Sequence, residues 1–254
     1  MSPSPIPWLS VVIPIKDERD NIQPLANQLI KVLGTLEQSQ ETPFEILFVD
    51  DGSTDGSGTI LDGLAQEYPE IQVLHMDRNH GQTAAFHAGF RQSRGRLLAT
   101  IDGDLQYDPA DIPKLLPLMN QYDLVCGHRQ QRLDNLLRKI SSHIAYLVRN
   151  AVIHDGILDT GCSLKLFRRE VLEGIPWFKG MHRFFPALAQ MYGFSVTEAP
   201  VQHFPRAHGQ SKYGIGNRVF AGLYDLMAVR WMQSRCFRYK VVKKETGGLG
   251  PHQQ

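Results

Sequence analysis

Short, continuously apolar runs separated by stretches of helical spacing dominate the first half of this 254-residue chain. The runs lie at 9–14, 44–49, 71–76 and 97–101. Strands of a parallel sheet that is covered on both faces have this continuous rather than alternating hydrophobicity. Apolar residues recur at helical spacing at 21–33, 57–67 and 83–93. The alternation predicts an α/β fold, an open and mostly parallel sheet flanked by helices.

The second half of the chain is less regular. Short strands are predicted at 124–126, 163–167, 195–198 and 201–205. A helix is predicted at 133–152, because its leucine, isoleucine and valine residues fall on one side. A helix at 217–233 is predicted to carry one apolar face, formed by Val219, Phe220, Leu223, Leu226, Met227 and Trp231.

Arg230 interrupts the apolar face of the helix at 217–233, and a basic segment follows that helix. An amphipathic helix with a basic patch is typical of an anchor at a membrane surface. The alternative is a helix packed on the domain, followed by a solvated charged tail.

Charge and cysteine content exclude several classes of protein. The formal net charge is +1, which gives no global electrostatic reason to expect a nucleic-acid partner. Cys126, Cys162 and Cys236 are odd in number and widely spaced, which disfavours a disulfide framework or a structural zinc and favours a reducing compartment. No run approaches the roughly 18 apolar residues of a membrane-spanning helix, so neither a transmembrane span nor a signal peptide is expected.

Acidic clusters follow three of the predicted strands. They are Asp17-Glu18, Asp50-Asp51 and Asp102-Gly103-Asp104. The carboxyl ends of parallel strands meet at one edge of a sheet, where ligands bind. Two carboxylates two residues apart provide hard oxygen ligands for Mg²⁺ or Mn²⁺, which in turn binds a diphosphate. The alternative is a strand-ending turn, in which Asp and Gly are common. Neither a GxGxxG fingerprint nor a phosphate-binding GxxxxGK[ST] loop is present, which disfavours a dehydrogenase or an NTPase.

Several segments resemble a known enzyme family. VVIPIKDERDNI, FVDDGSTDGS, NHGQTAAFHAG and IDGDLQYDP are similar, in this order, to inverting family 2 glycosyltransferases of the GT-A fold. DTGCSLKLFRRE, HRFFPAL and PRAHGQSKYG resemble the polyprenyl-phosphate branch, which includes dolichyl-phosphate mannose synthase. The resemblance implies a catalytic domain at 8–216, with a nucleotide-sugar part at 8–108 and an acceptor part at 109–216. An amphipathic helix and basic segment at 217–245 and a disordered tail at 246–254 would follow.

The resemblance also implies roles for residues at the donor site. Pro14, Glu18, Asp50 and Gly81 would line the nucleoside pocket. Asp102 would face the ribose and a Mg²⁺ or Mn²⁺ ion, which Asp104 and Gln106 would ligate.

Cations and one further carboxylate are implied at the acceptor side. Arg206 and Lys212 would close over the donor diphosphate and the acceptor phosphate, because fixed cations offset the repulsion between two anions. Arg129 and Arg132 are candidates for the acceptor phosphate, with solvated surface residues as the alternative. Asp159 corresponds to a carboxylate proposed as a base in some members. A phosphate acceptor has a second pKa of roughly 6 and needs no strong base, so orienting the acceptor or capping a turn is an equal alternative.

The implied reaction is inverting transfer of a mannose- or glucose-type hexose from a GDP- or UDP-sugar to a polyprenyl phosphate. The enzyme would act as a peripheral protein at the cytoplasmic face of the cell membrane, as a homo-oligomer or with a membrane-anchoring partner subunit. Two alternatives stay open. One is transfer to a saccharide or protein hydroxyl, and the other is a non-catalytic nucleotide-sugar-binding subunit of a membrane complex.

Overall fold

The computed structural model of the chain describes residues 5–130, 136–206 and 215–237. Its strands are β1 (Leu9–Ile15), β2 (Phe44–Asp50), β3 (Ile71–His75), β4 (Leu97–Thr100), β5 (Leu124–Arg129), β6 (Lys165–Arg168) and β7 (Val196–Val201). Its α-helices are α1 (Arg19–Gly34), α2 (Glu37–Glu41), α3 (Ser57–Glu67), α4 (Gln82–Gln92), α5 (Ile112–Leu115), α6 (Leu136–Ile153), α7 (Arg169–Gly174), α8 (Phe185–Met191) and α9 (Ile215–Arg235).

The seven strands of the described residues form one sheet in the order β3-β2-β1-β4-β6-β5-β7. Strand β1 pairs in parallel with β2 and β4, β2 with β3, and β5 with β7. Strand β6 runs antiparallel to both of its neighbours, β4 and β5. The predicted α/β architecture, an open and mostly parallel sheet flanked by helices, is confirmed.

Alternate residues of β1 enter two different apolar cores. Val11 and Ile13 pack with Leu25 and Leu29 of α1 on one face of the sheet. Val12 packs on the other face, in the core that contains Phe86 and Phe90 of α4. Because successive side chains of a strand point to opposite faces, a strand covered on both faces is apolar at most positions rather than at alternate ones.

The predicted strand at 201–205 is wrong. Strand β7 continues from Val196 to Val201, where its pairing with β5 ends opposite Arg129. The backbone N–H of Phe204 then donates to the carbonyl oxygen of Gln106 at 2.9 Å, outside the sheet. The chain after β7 therefore crosses the carboxyl ends of the strands instead of forming a strand.

The last two long helices differ from their predicted form. Helix α6 begins at Leu136, and residues 133–135 of the predicted helix lie outside the described residues. In α9, Leu226 is buried in the core with Val229, whereas the neighbouring Met227 and Trp231 are exposed. The prediction that Leu226 shares one apolar face with Met227 and Trp231 is wrong, because α9 packs the side that carries Leu226 on the domain. None of the described helices has the length and hydropathy that crossing a bilayer requires.

The turn after β2 generates a prediction about stability. Gly52 has a φ of +68°, and a Cβ atom there would lie 2.6 Å from the carbonyl carbon of Arg78. We expect Gly52→Ala to lower the free energy of unfolding by about 1–3 kcal/mol, because it adds both backbone strain and a backbone clash. Urea denaturation measures this loss.

Gly63 provides the matched control for that substitution. It lies inside α3, and a Cβ atom there would meet nothing within 4 Å. Gly63→Ala is expected to raise the stability by about 0.5–1 kcal/mol, since alanine is the better helix former. Equal effects of the two substitutions would contradict the assigned turn geometry.

Candidate functional site

Carboxylates from three adjacent strands meet at one edge of the sheet. Glu18 follows β1, Asp50 ends β2, and Asp102 and Asp104 follow β4. Since β1 pairs in parallel with both β2 and β4, the three carboxyl ends lie side by side. The predicted convergence of the acidic clusters is confirmed. Pro14, the penultimate residue of β1, is half-buried at the same edge.

Arg206 joins the first and last of these clusters. Its Nη1 donates to Glu18 Oε1 at 2.9 Å, and its Nη2 donates to Asp104 Oδ2 at 2.7 Å. Asp104 is only 5% exposed, so the ion pair is largely shielded from water. The segment after β7 brings Arg206 to this position, and Gln106 secures that segment by donating from Nε2 to the Phe204 carbonyl at 3.2 Å.

Asp102 lies between a helix and the β4–β6 side of the edge. Its Oδ1 accepts a hydrogen bond from Gln82 Nε2 at 2.8 Å, and its backbone N–H donates to Ser163 Oγ at 3.1 Å. Burial and the neighbouring charge of Asp104 raise the pKa of Asp102 to about 7. The two carboxylates therefore repel each other, and an additional cation would stabilise the ionised form of Asp102.

The arrangement of Asp102, Asp104 and Gln106 fits a divalent cation that is shared with a phosphate ligand. In the described part of the chain, no group of three His, Cys, Asp or Glu residues could hold a metal by itself. Mg²⁺ does not require such a cage, because it is commonly bound by one or two carboxylates together with water and substrate phosphates. The paired carboxylates provide hard oxygen ligands, and burial together with the charge of Asp104 raises the pKa of Asp102, so a bound cation would stabilise its ionised form.

The first turn of α4 is fixed by Asp51, the residue directly after β2. Asp51 accepts hydrogen bonds from the backbone N–H groups of His80, at 2.6 Å, and Gly81, at 2.9 Å. Gly81 has a φ of +91° and directly precedes α4. The side chain of the next residue, Gln82, reaches Asp102. Asp51 thus positions both the predicted pocket residue Gly81 and the helix that supports Asp102.

Asp50 has partners that sequence patterns did not indicate. Its Oδ1 accepts the backbone N–H of Ser53 at 2.8 Å, and its Oδ2 lies 3.2 Å from His75 Nδ1. His75 Nε2 lies 2.8 Å from Asp62, and this hydrogen bond, with help from Asp50, raises the pKa of His75. His75 ends β3, so only the pairing of β2 with β3 brings it to Asp50.

Arg129 and Asp159 form a two-pronged ion pair. Arg129 donates from Nε to Asp159 Oδ2 and from Nη2 to Oδ1, both at 2.7 Å. The backbone N–H of Asp159 donates to Glu198 at 2.9 Å, and Asp159 is 1% exposed. Both carboxylate oxygens of Asp159 are therefore engaged by a fixed cation. Of the remaining candidates, Arg132 and Lys212 lie outside the described residues.

The structure adds supporting residues that sequence reasoning missed. His75 contacts Asp50, and Gln82 contacts the side chain of Asp102. Ser163 accepts the backbone N–H of Asp102, and Glu198 accepts that of Asp159. Each contact joins residues far apart in the chain, so no local spacing reveals it. Gln82 lies within the recognised NHGQTAAFHAG segment and Ser163 within DTGCSLKLFRRE, and these segments were the available signals.

The chain matches a family model and curated proteins. Residues 10–175 match the model described as Glycosyl transferase family 2. A dodecaprenyl-phosphate galacturonate synthase of Rhizobium johnstonii is 38% identical over 240 residues, which cover 91% of this chain and 68% of that protein. An undecaprenyl-phosphate 4-deoxy-4-formamido-L-arabinose transferase of Salmonella typhimurium is 36% identical over 227 residues, which cover 88% of this chain and 68% of that protein.

Solved structures share the fold at low sequence identity. Glucosyl-3-phosphoglycerate synthase from Mycobacterium tuberculosis, in complex with Mn²⁺, UDP and glucosyl-3-phosphoglycerate, has a TM-score of 0.63 and 17% identity, covering 91% of this chain and 80% of that chain. The same synthase with Mg²⁺ and UDP has a TM-score of 0.64 and 16% identity, covering 91% and 79%. At such identities the likeness establishes the fold alone. The family model and the curated relatives show that the chain belongs to glycosyltransferase family 2.

Proposed function

We propose that this glycosyltransferase moves a hexose from a GDP- or UDP-sugar to a polyprenyl phosphate, with inversion at the anomeric carbon. The observation that carries the proposal is the position of Arg206. Ion pairs with Glu18 and Asp104 fix its guanidinium at the acidic edge of the sheet. A cation at that place suits a reaction in which an anionic acceptor approaches an anionic donor. The names of both curated relatives specify a polyprenyl phosphate, which supports the same acceptor.

The sugar and the nucleotide are the open part of this proposal. The relatives are named for galacturonate and for 4-deoxy-4-formamido-L-arabinose, and not for mannose or glucose. A mannose- or glucose-type donor is supported only by the resemblance of the sequence motifs. The structural neighbours that contain UDP support a nucleoside diphosphate as the leaving group.

The donor diphosphate would bind beside Asp102 and Asp104, with Pro14, Glu18, Asp50 and Gly81 around the nucleoside. A Mg²⁺ or Mn²⁺ ion held there with Gln106 would neutralise charge on the departing diphosphate. His75 and Ser53 orient Asp50, so that a carboxylate of defined direction faces the nucleoside.

In the transfer step, an oxygen of the acceptor phosphate attacks the anomeric carbon, and the nucleoside diphosphate leaves with the electron pair of the broken C–O bond. Arg206, with Lys212, would donate to phosphate oxygens as charge builds on the leaving group. Positioning of the two reactants supplies a large part of the acceleration.

Asp159 fits a positioning role better than that of a base. Its two oxygens accept both prongs of Arg129, which directs the guanidinium and fixes the end of β5. A phosphate acceptor carries no proton that must be removed at neutral pH, since its second pKa is roughly 6. We therefore assign Arg129, with Arg132, to the acceptor phosphate and Asp159 to holding Arg129.

Two neighbouring helices support a location at a membrane surface. Ile144, Leu147 and Val148 are exposed on α6, which packs against α9. On α9, Met227 is 62% and Trp231 is 63% exposed. Exposed apolar side chains on adjacent helices are typical of an interfacial surface. We propose that this surface rests on the cytoplasmic face of the membrane, where it would meet a lipid-borne acceptor.

A radiolabelled donor panel tests the reaction. The full chain is incubated with GDP- and UDP-sugars and with vesicles containing undecaprenyl phosphate, and the label extracted with the lipid is counted. We expect acceptor-dependent label in the lipid from one donor class. Label that instead appears only on free saccharides would favour the hydroxyl-acceptor alternative, and donor binding without any transfer would favour a non-catalytic subunit.

Asp104→Asn tests the metal assignment. The substitution removes a charged oxygen ligand, so Mn²⁺ affinity is expected to fall by at least roughly 10- to 100-fold, with a matching loss of turnover. Isothermal titration calorimetry measures the affinity. Asp20→Asn, at an exposed carboxylate on α1, is the matched control and should bind Mn²⁺ like the wild type. Full turnover of Asp104→Asn at saturating metal would show that the assignment is wrong.

Arg206→Gln tests the cation. We expect kcat/KM to fall by roughly 100- to 1,000-fold, because a group that stabilises developing negative charge is lost. Mn²⁺ binding to the donor-free protein is not expected to weaken, since the substitution removes a positive charge that pairs with Asp104. Arg19→Gln, at an exposed arginine of α1, serves as the control. Unchanged kcat/KM in Arg206→Gln would contradict the proposed role.

A further inference from the structure

A pocket lies where the end of α6 meets α8 and α9, away from the acidic strand ends. Its volume is about 330 Å³, and it is lined by Ile153, His154, Gln190, Met191, Arg230 and Gln233. Ligand sites commonly span roughly 300–1,000 Å³, so this pocket has room for a compact polar group. Nothing in the transfer reaction described above uses these residues.

Arg230, which interrupts the apolar face of α9, is one of the residues that line this pocket. It is exposed, as are Met227 and Trp231 on the same side of the helix. Among the residues that the structure describes, its guanidinium has no ion-pair partner. A charged side chain within an apolar interfacial face is unfavourable unless it reaches the headgroup layer or an anion within it.

His154, a second polar residue that lines the pocket, directly follows α6. It follows the exposed stripe of Ile144, Leu147 and Val148, and it is itself exposed directly after the helix. Its backbone has a φ of +55°, and its N–H donates to the carbonyl oxygen of Asn150 at 3.0 Å. The exposed apolar side chains of both helices therefore lie close in the chain to a group that can donate hydrogen bonds to an anion, Arg230 on α9 and His154 after α6.

The walls of the pocket are braced across three elements. Gln233 Nε2 donates to the carbonyl oxygen of Ile153 at 2.9 Å, which ties α9 to the end of α6. Gln190 of α8 donates to the carbonyl oxygen of Asp155 at 3.0 Å. The Asp155 carboxylate is turned away into an ion pair with Arg149 at 3.0 Å and is almost fully buried. The nearby acid is thus neutralised, and the pocket keeps the positive charge of Arg230.

We propose that this pocket binds the phosphate group of an anionic phospholipid. Arg230 would donate to phosphate oxygens, with His154 as a second donor, while the apolar stripes of α6 and α9 contact the acyl chains. A guanidinium suits this role because it forms directional, charge-assisted hydrogen bonds with phosphate. The inference rests on the membrane surface in the proposed function. It adds a defined lipid site separate from the acceptor.

Vesicle co-sedimentation of the full chain tests the site. The vesicles contain phosphatidylcholine alone, or phosphatidylcholine with phosphatidylglycerol, and no polyprenyl phosphate. The variants are Arg230→Gln and His154→Asn, the latter because asparagine tolerates the left-handed backbone. Arg235→Gln is the matched control, at an exposed arginine of the same helix that does not line the pocket.

We expect Arg230→Gln to weaken binding to phosphatidylglycerol vesicles by roughly 10-fold or more, and His154→Asn to weaken it in the same direction. Arg235→Gln should cost no more than about fivefold, as for a basic residue that senses only the surface potential. On phosphatidylcholine vesicles the variants should match the wild type.

Three outcomes would overturn the inference. The first is an equal loss in Arg230→Gln and Arg235→Gln, which indicates general electrostatics. The second is a wild-type protein with no preference for phosphatidylglycerol. The third is Arg230-dependent binding of inorganic phosphate, followed by ³¹P NMR, without any gain on vesicles. Transfer by the wild type is measured separately, so failure of the proposed reaction leaves a different signature.

Discussion

Carboxylates delivered by three neighbouring strands crowd one edge of the sheet, and their mutual repulsion has to be compensated locally. Arg206 supplies one compensation by bridging Glu18 and Asp104. The negative charge of Asp102 is less well compensated, because burial and the charge of Asp104 raise its pKa to about 7. A cation bound beside Asp102 would stabilise its ionised form. Positive charge at the same place would also stabilise a departing nucleoside diphosphate. The charges that stabilise the edge would therefore also serve its proposed chemistry.

The first turn of α4 holds the parts of this edge in register. Gly81 donates its backbone N–H to Asp51, which directly follows β2, and the side chain of Gln82 donates to Asp102, beyond β4. The next residue, Thr83, lies 2.7 Å through its Oγ1 from His182 Nδ1, and it also accepts the backbone N–H of Gly180. Three consecutive residues therefore connect two strand ends to the loop before α8. Because α4 also packs on both β1 and β2, small displacements of this turn are resisted by the core.

The exposed apolar surface of α6 and α9 is attached firmly to the same body. Arg183, beside His182, pairs with Asp225 of α9 at 3.1 Å, and Gln233 binds the end of α6. Leu226 and Val229 anchor the inner side of α9 in the core that also holds Phe86 of α4. A surface fixed in this way would present the acidic edge at a constant orientation to a membrane. Such an orientation would limit the search of a lipid-borne phosphate for the donor.

The sequence by itself determined the alternation of strand and helix, the acidic strand ends and the family resemblance, because these depend on local hydrophobic periodicity and contiguous motifs. It also indicated Arg206 and Asp104 as separate candidates. Only the tertiary structure decided that they pair, that Arg129 occupies both oxygens of Asp159, and that His75 supports Asp50. The predicted strand at 201–205 and the placement of Leu226 failed for the same reason. Pairing across strands and packing of a helix on a distant core depend on contacts between residues far apart in the chain, and periodicity within a single segment carries no information about them.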